Sequence, residues 1–175
     1  YAPHAWLQGR LFRDVAPGQM QGYFNPLLHM PWYGALWLLM DRPRAFAFLS
    51  GLPAGLLAFL FLRVAHAHAA TLLDGAAARL AATAAVAAMG LTGAAFVPGI
   101  GLSSGDVWVA VPLMAAYGLV LRAAIRKDAG QPADLRAMAL AWLLAGLATG
   151  LKLTSLPFAA ALGLMLLATL GFRAA

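Results

Sequence analysis

Three charged side chains lie where this sequence could carry chemistry: Asp14, Asp106 and Lys152. Carboxylates serve as general bases and metal ligands, and a lysine ammonium binds phosphate as a compact positive charge. Lys152 is the one charged residue between Ala137 and Phe172. Because a lysine at the centre of a bilayer costs about 2.5–3.5 kcal/mol, it must reach the headgroups, pair with an anion or line a wet cavity. Pairing with a bound anion or lining a wet cavity would each give Lys152 a functional role.

The segment from residue 1 to residue 33 combines charges with aromatic side chains. Asp14 is its one carboxylate, so a general base or metal ligand within this segment would have to be Asp14. Arg10 could pair with a phosphate group in bidentate fashion. Three aromatic residues could stack on sugar rings or lie at the lipid headgroups: Tyr23, Phe24 and Trp32. The structural alternative is an Arg13–Asp14 surface turn.

Asp106 and Lys152 also have structural alternatives. Asp106 ends the stretch GLSSGD at 101–106, where it would cap or begin a helix for about 0.5–2 kcal/mol or contribute to a metal site. Lys152 lies in GLKLTSLPF at 150–158, and Gly150 and Pro157 predict a break between two short helices there. We expect His66 and His68 to be solvated in a loop, since no third metal ligand lies near them in the sequence.

The composition predicts an all-α, polytopic membrane helical bundle. Hydrophobic residues make up 63% of the 175 residues and charged residues 10%, compared with about 25% charged residues in soluble domains. We expect one membrane domain, with an external loop and interfacial helix at 1–44 and a transmembrane bundle at 45–175, from a longer protein. The absence of cysteine excludes disulfides and thiolate catalysis.

The apolar runs predict about five membrane spans and one interfacial or re-entrant helix. The spans are Ala45–Leu62, Ala81–Pro98, Val107–Leu121, Ala137–Leu151 and Leu156–Phe172. The loop at 122–136 is basic, so the positive-inside rule makes it cytoplasmic and places residues 1–25 outside if the 26–40 run does not cross. The same rule accounts for the net charge of +6, so this charge does not indicate a nucleic-acid partner. Two Gly-xxx-Gly pairs, Gly51/Gly55 and Gly146/Gly150, have the spacing of close helix contacts.

Taken in order, these elements resemble the N-terminal part of a GT-C-type membrane glycosyltransferase. The resemblance rests on four stretches: YAPHAWLQGRLFRD at 1–14, QGYFNPLLHMPWY at 21–33, GLSSGD at 101–106 and GLKLTSLPF at 150–158. They are similar to the first external loop, the aromatic interfacial segment, the second external loop and a Lys-containing helix break of that superfamily. The family's catalytic aspartate usually precedes the tyrosine that corresponds to Tyr1, and within this chain Asp14 is the external-loop acid.

The resemblance implies transfer of a sugar from a polyprenyl-phosphate carrier to a lipid or glycan acceptor on the external face of a bacterial cytoplasmic membrane. Asp14 would be the catalytic residue that deprotonates or orients the acceptor hydroxyl, and Asp106 would help to hold a divalent metal, Mg or Mn. The substrate-binding residues would be Arg10, Lys152, Tyr23, Phe24 and Trp32. The alternative function is a secondary transporter or lipid flippase with Lys152 at its substrate site.

Overall fold

The computed structural model describes residues 2–10, 26–93, 96–101, 105–132 and 134–170. These residues form helices joined by turns and short loops, with no β-strand among them. Asp14, Tyr23 and Phe24 lie outside the described residues. The helices are α1 (Ala2–Leu7), α2 (Met30–Leu39), α3 (Pro43–Leu72), α4 (Ala76–Leu91), α5 (Asp106–Asp128), α6 (Leu135–Leu151) and α7 (Leu156–Leu170). Single 3₁₀ turns at Pro26–His29 and Leu153–Ser155 precede α2 and α7.

Within the described part of the chain, two helices are long and apolar enough to cross a membrane: α3 with 30 residues and α5 with 23. The core helix of a soluble protein is mostly buried, whereas only 17% of the most apolar window of α3 and 33% of that of α5 are buried. Phe48, Leu52 and Leu56 form an exposed apolar stripe on one face of α3. Such a face is suited to contact with lipid, which indicates membrane association.

The other apolar runs lie on shorter helices. α4, α6 and α7 have 16, 17 and 15 residues, below the roughly 20 residues of a full crossing. α2 has 10 residues, which is about 15 Å of helix and half of a bilayer's hydrocarbon thickness of about 30 Å. α2 alone therefore does not cross a membrane.

The helix boundaries differ from the predicted spans at both ends of the bundle, since α4 begins at Ala76 instead of Ala81 and ends at Leu91 instead of Pro98. α3 continues past Leu62 to Leu72, and α5 continues past Leu121 to Asp128. The prediction that His66 and His68 lie in a loop was wrong, because both lie on α3. Charged residues end an apolar run without ending a helix, since arginine and lysine have high helix propensity.

The main hydrophobic core joins α5, α6 and α7. Small residues recur at helical spacing where the helices meet, which allows close approach of their backbones. The buried residues are Ala116, Val120, Ala123, Met138, Ala141, Ala145, Leu162 and Leu166. The two Gly-xxx-Gly pairs do not form such contacts, since a Cβ added at any of the four glycines would meet no atom within 4 Å.

The 3₁₀ turn at Pro26–His29 packs on the end of this bundle. Leu28 is buried with Val109 of α5 and Ala148 of α6. Gly105, which precedes α5, has a φ of +79°, and a Cβ there would collide with the side chain of Leu28. Glycine is therefore required at this position both for its backbone conformation and for the seating of Leu28.

We expect Gly105→Ala to destabilise the folded protein more than Gly130→Ala does. Gly130 has a φ of +70° with open space around its Cβ position, so both variants share a conformational cost of about 1–2 kcal/mol. Overpacking against Leu28 adds about 1–3 kcal/mol at Gly105 alone. Thermal unfolding of the two variants in the same detergent measures the difference, and equal losses would show that Leu28 does not pack against Gly105.

Candidate functional site

The structure brings Asp106 and Lys152 together although they are 46 residues apart in the sequence. The Lys152 Nζ donates a hydrogen bond to Asp106 Oδ1, and the two side chains form an ion pair. Asp106 is the first residue of α5, where the N-cap position belongs to Gly105 and no side chain caps the helix. Its carboxylate therefore binds lysine rather than capping the helix, while the positive end of the α5 dipole attracts it as well.

The backbone break between α6 and α7 holds Lys152 in place. The Lys152 N–H donates to the Ala148 carbonyl at 3.0 Å, and the residue itself is extended, with φ −150° and ψ 113°. The Lys152 carbonyl accepts a hydrogen bond from the Ser155 hydroxyl at 2.8 Å. Because Ser155 is buried, this bond anchors the break in the protein, and the ammonium projects from a fixed point.

An apolar groove of about 510 Å³ begins at this ion pair. We call it the Lys152 groove, and it runs between α5 and α7. Its walls are mostly aliphatic, aromatic or thioether side chains, and its lining residues are Asp106, Val109, Ala110, Leu113, Met114, Tyr117, Lys152, Thr154, Ser155, Phe158, Ala161, Leu162 and Met165. The stretch of α5 from Asp106 to Tyr117 is about 16 Å long. The groove thus suits a molecule with an elongated apolar part and an anionic group.

The far part of the groove has a polar contact that the sequence analysis missed. Tyr117 of α5 lines the groove, and its hydroxyl lies 2.6 Å from Nε2 of His68 on α3. His66 makes a second contact between helices, with Nδ1 3.3 Å from the Thr83 hydroxyl on α4. Both histidines therefore have protein partners. The apolar run around Tyr117 offered no signal of this pairing, because the residues involved are 49 positions apart.

The turn at Pro26–His29 lies next to the ion pair. The pKa of His29 is lowered below its usual value, chiefly by burial and in part by the positive charge of Lys152. His29 is therefore held in its neutral form near neutral pH. Three of the stretches that the sequence analysis singled out, at 21–33, 101–106 and 150–158, thus contribute residues to one end of the bundle.

Arg10 and Trp32 do not line the Lys152 groove. Arg10 is exposed in the turn after α1, where its N–H donates to the Ala5 carbonyl at 2.8 Å. Trp32 is buried, with its ring edge-on to Trp108 at 5.5 Å and to Phe46 at 5.7 Å. Trp32 therefore holds α2 against α3 and α5.

The described residues around Asp106 do not form a metal site on their own. Among the described residues, no group of three His, Cys, Asp or Glu side chains could hold a metal ion. Asp106 is also paired with Lys152, whose positive charge would repel a divalent cation.

No family model, curated protein sequence or solved structure matches this chain. Its function therefore has to be inferred from its residues and their geometry.

We expect a charge swap to restore the stability that single charge reversals remove. Asp106→Lys places two ammonium groups together, and Lys152→Asp places two carboxylates together, so each should cost about 1 kcal/mol or more of unfolding free energy. The double variant D106K/K152D should recover most of that loss, apart from an unfavourable ammonium at the α5 N-terminus. Thermal unfolding of all four proteins gives the coupling energy. Additive losses in the double variant would exclude the ion pair.

Proposed function

We propose that this chain belongs to a membrane glycosyltransferase of the GT-C type. It takes a sugar from a polyprenyl-phosphate carrier and transfers it to a lipid or glycan acceptor on the external face of a bacterial cytoplasmic membrane. The observation that carries the proposal is the Lys152 ammonium at the mouth of an apolar groove. A polyprenyl phosphate has the matching distribution of charge, with an anionic group at one end of a long apolar chain.

The proposed architecture uses all five apolar helices, α3 to α7, as membrane segments. Their order places the 26–29 turn, Asp106 and Lys152 at one end of the bundle and the basic residues of α5 and α6 at the other. The positive-inside rule then assigns the Lys152 end to the external side. A lipid-borne donor would enter the groove sideways from the external leaflet, because the groove lies open between α5 and α7.

In the proposed reaction, the acceptor hydroxyl attacks the anomeric carbon of the donor sugar. An external-loop carboxylate, Asp14 in this chain, takes the hydroxyl proton as the new C–O bond forms. The bond from the anomeric carbon to the phosphate oxygen breaks, and negative charge develops on the departing polyprenyl phosphate. Lys152 stabilises that charge, which is the interaction that strengthens most in the transition state. Arg10, Tyr23 and Phe24 remain proposed substrate-binding residues of the external segment, whereas Trp32 is buried in the packing between α2, α3 and α5.

The second candidate is a secondary transporter or lipid flippase. The observation that favours it is the helix break at Lys152, since broken helices form the substrate sites of many transporters. In that mechanism the Asp106–Lys152 pair would open when an anionic substrate binds to the ammonium. A transfer assay separates the two candidates, because a transporter or flippase moves its substrate without breaking the glycosidic bond.

We expect Lys152→Met to abolish sugar transfer and Lys127→Met to leave it intact. Lys127 is the only other lysine in the chain and lies near the opposite end of α5. Loss of a group that stabilises transition-state charge lowers kcat by about 10²–10³-fold. The assay uses the full-length protein in liposomes with a panel of polyprenyl-phosphate sugars. Transport of an unchanged lipid substrate that Lys152→Met stops would favour the second candidate, and wild-type transfer by Lys152→Met would refute the role of Lys152.

We also expect the two ends of the bundle to lie on opposite sides of the membrane. The chain has no cysteine, so single cysteines at Gln8 and Gln131, which are both exposed, report their own location. In intact cells a membrane-impermeant maleimide should label Gln8→Cys, and it should label Gln131→Cys only after the cells are opened. The reverse pattern would contradict an external active site, and labelling of both from outside would contradict an odd number of crossings between them.

A further inference from the structure

A second cavity lies toward the other end of the bundle, between α3, α5 and α6. We call it the arginine cavity. Its volume is about 560 Å³, and Arg63 and His66 of α3 and Arg122 of α5 line it together with mostly apolar side chains. α5 has no charged residue from Val107 to Leu121, so Arg122 lies about 24 Å along the helix from Asp106. The arginine cavity therefore borders the membrane surface opposite the Lys152 groove.

The basic groups of this cavity are not neutralised within the described part of the chain. Neither Arg63 nor Arg122 forms an ion pair there, and Arg63 lies 5.8 Å from the centre of the Phe59 ring. An adjoining cavity of about 350 Å³ shares Arg122 and adds Arg126, Asp134 and Arg136. Its carboxylate, Asp134, is 3.5 Å from Arg126. Asp134 therefore offsets the charge of Arg126, and Arg63, Arg122 and Arg136 leave a net positive charge at the two cavities.

The walls beside these guanidinium groups are apolar. Leu119 of α5 and Leu140 of α6 line both cavities, and Leu60 and Leu144 extend the apolar surface toward the middle of the bundle. A free phosphate would contact only the arginines and leave this surface uncovered. An acyl chain would cover it, while the phosphate of the same molecule would accept bidentate hydrogen bonds from the guanidinium groups.

We propose that the arginine cavity binds an anionic phospholipid of the leaflet opposite the Lys152 groove. The headgroup phosphate lies between Arg63 and Arg122, and an acyl chain lies along Leu119, Leu140 and Leu144. The lipid bridges α3 to the α5–α6 pair. This proposal requires that the bundle span a membrane, but it does not depend on the reaction at the Lys152 end.

The test compares binding of phosphatidylglycerol and phosphatidylcholine with identical acyl chains to the purified full chain in detergent, counted by native mass spectrometry. We expect the wild type to prefer phosphatidylglycerol, and R63Q/R122Q to lose about 30-fold of that preference, which corresponds to about 1 kcal/mol for each arginine. The matched control R42Q/R44Q removes the same charge from the turn before α3 and from its start, and should keep the preference.

Two further arms make the result decisive. R63K/R122K keeps both charges without the planar fork, so it should fold and retain a reduced preference even if R63Q/R122Q unfolds. Glycerol 1-phosphate should not displace the bound lipid. Equal loss of preference in R42Q/R44Q would show diffuse charge attraction and overturn the proposal. Displacement by glycerol 1-phosphate would overturn it in favour of a free-phosphate site, and an unchanged preference in R63Q/R122Q would refute it.

Discussion

The ion pair between Asp106 and Lys152 determines how the polar end of this bundle is assembled. It connects the first residue of α5 to the break between α6 and α7. The pair acts together with the buried Ser155, whose hydroxyl donates to the Lys152 carbonyl, and with Leu28, which packs over the same junction. The groove between α5 and α7 depends on that arrangement.

The Lys152 groove and the arginine cavity are similar in size, but their charged groups differ in whether an acidic side chain pairs with them. At one end a single ammonium is already paired with a carboxylate. At the other, Arg63 and Arg122 have no acidic partner within the described residues. A paired lysine suits a ligand that must arrive and leave, because the carboxylate takes the place of the departing anion. Arg63 and Arg122 are exposed and hydrated in the free protein, so an anionic headgroup meets no carboxylate that competes for them within the described residues.

Much of the fold follows from the apolar runs, but the side-chain pairings do not. The runs predict a helical bundle, and α3 to α7 lie on them. The helices α3 and α5 continue beyond the predicted ends at Leu62 and Leu121, because an arginine ends an apolar run without ending a helix. The glycine pairs predict the wrong contact faces. Spacing indicates that two residues share a face of a helix, but not which neighbour, if any, that face meets.

The candidate site shows the same limit. Asp106 and Lys152 each stand out from their apolar surroundings, and so they could be selected one at a time. Their contact could not be predicted, because it depends on how α5 and α6 pack through Ala116, Ala141 and Ala145. Trp32 illustrates the opposite case. An aromatic residue in a polar segment suggests a ligand contact, but burial against Trp108 gives it a packing role.

A phosphate that binds to Lys152 must compete with Asp106 for the same ammonium. The Asp106 side chain is 67% exposed and that of Lys152 is 27% exposed, so water compensates much of the loss when the pair opens. Exposed ion pairs are worth about 0–1 kcal/mol, and a lipid phosphate gains in addition the burial of its apolar chain in the groove. The pair can therefore hold the ammonium at the groove mouth in the free protein and still yield to an anionic ligand. When that ligand leaves, the carboxylate returns to Lys152, and the groove keeps its shape.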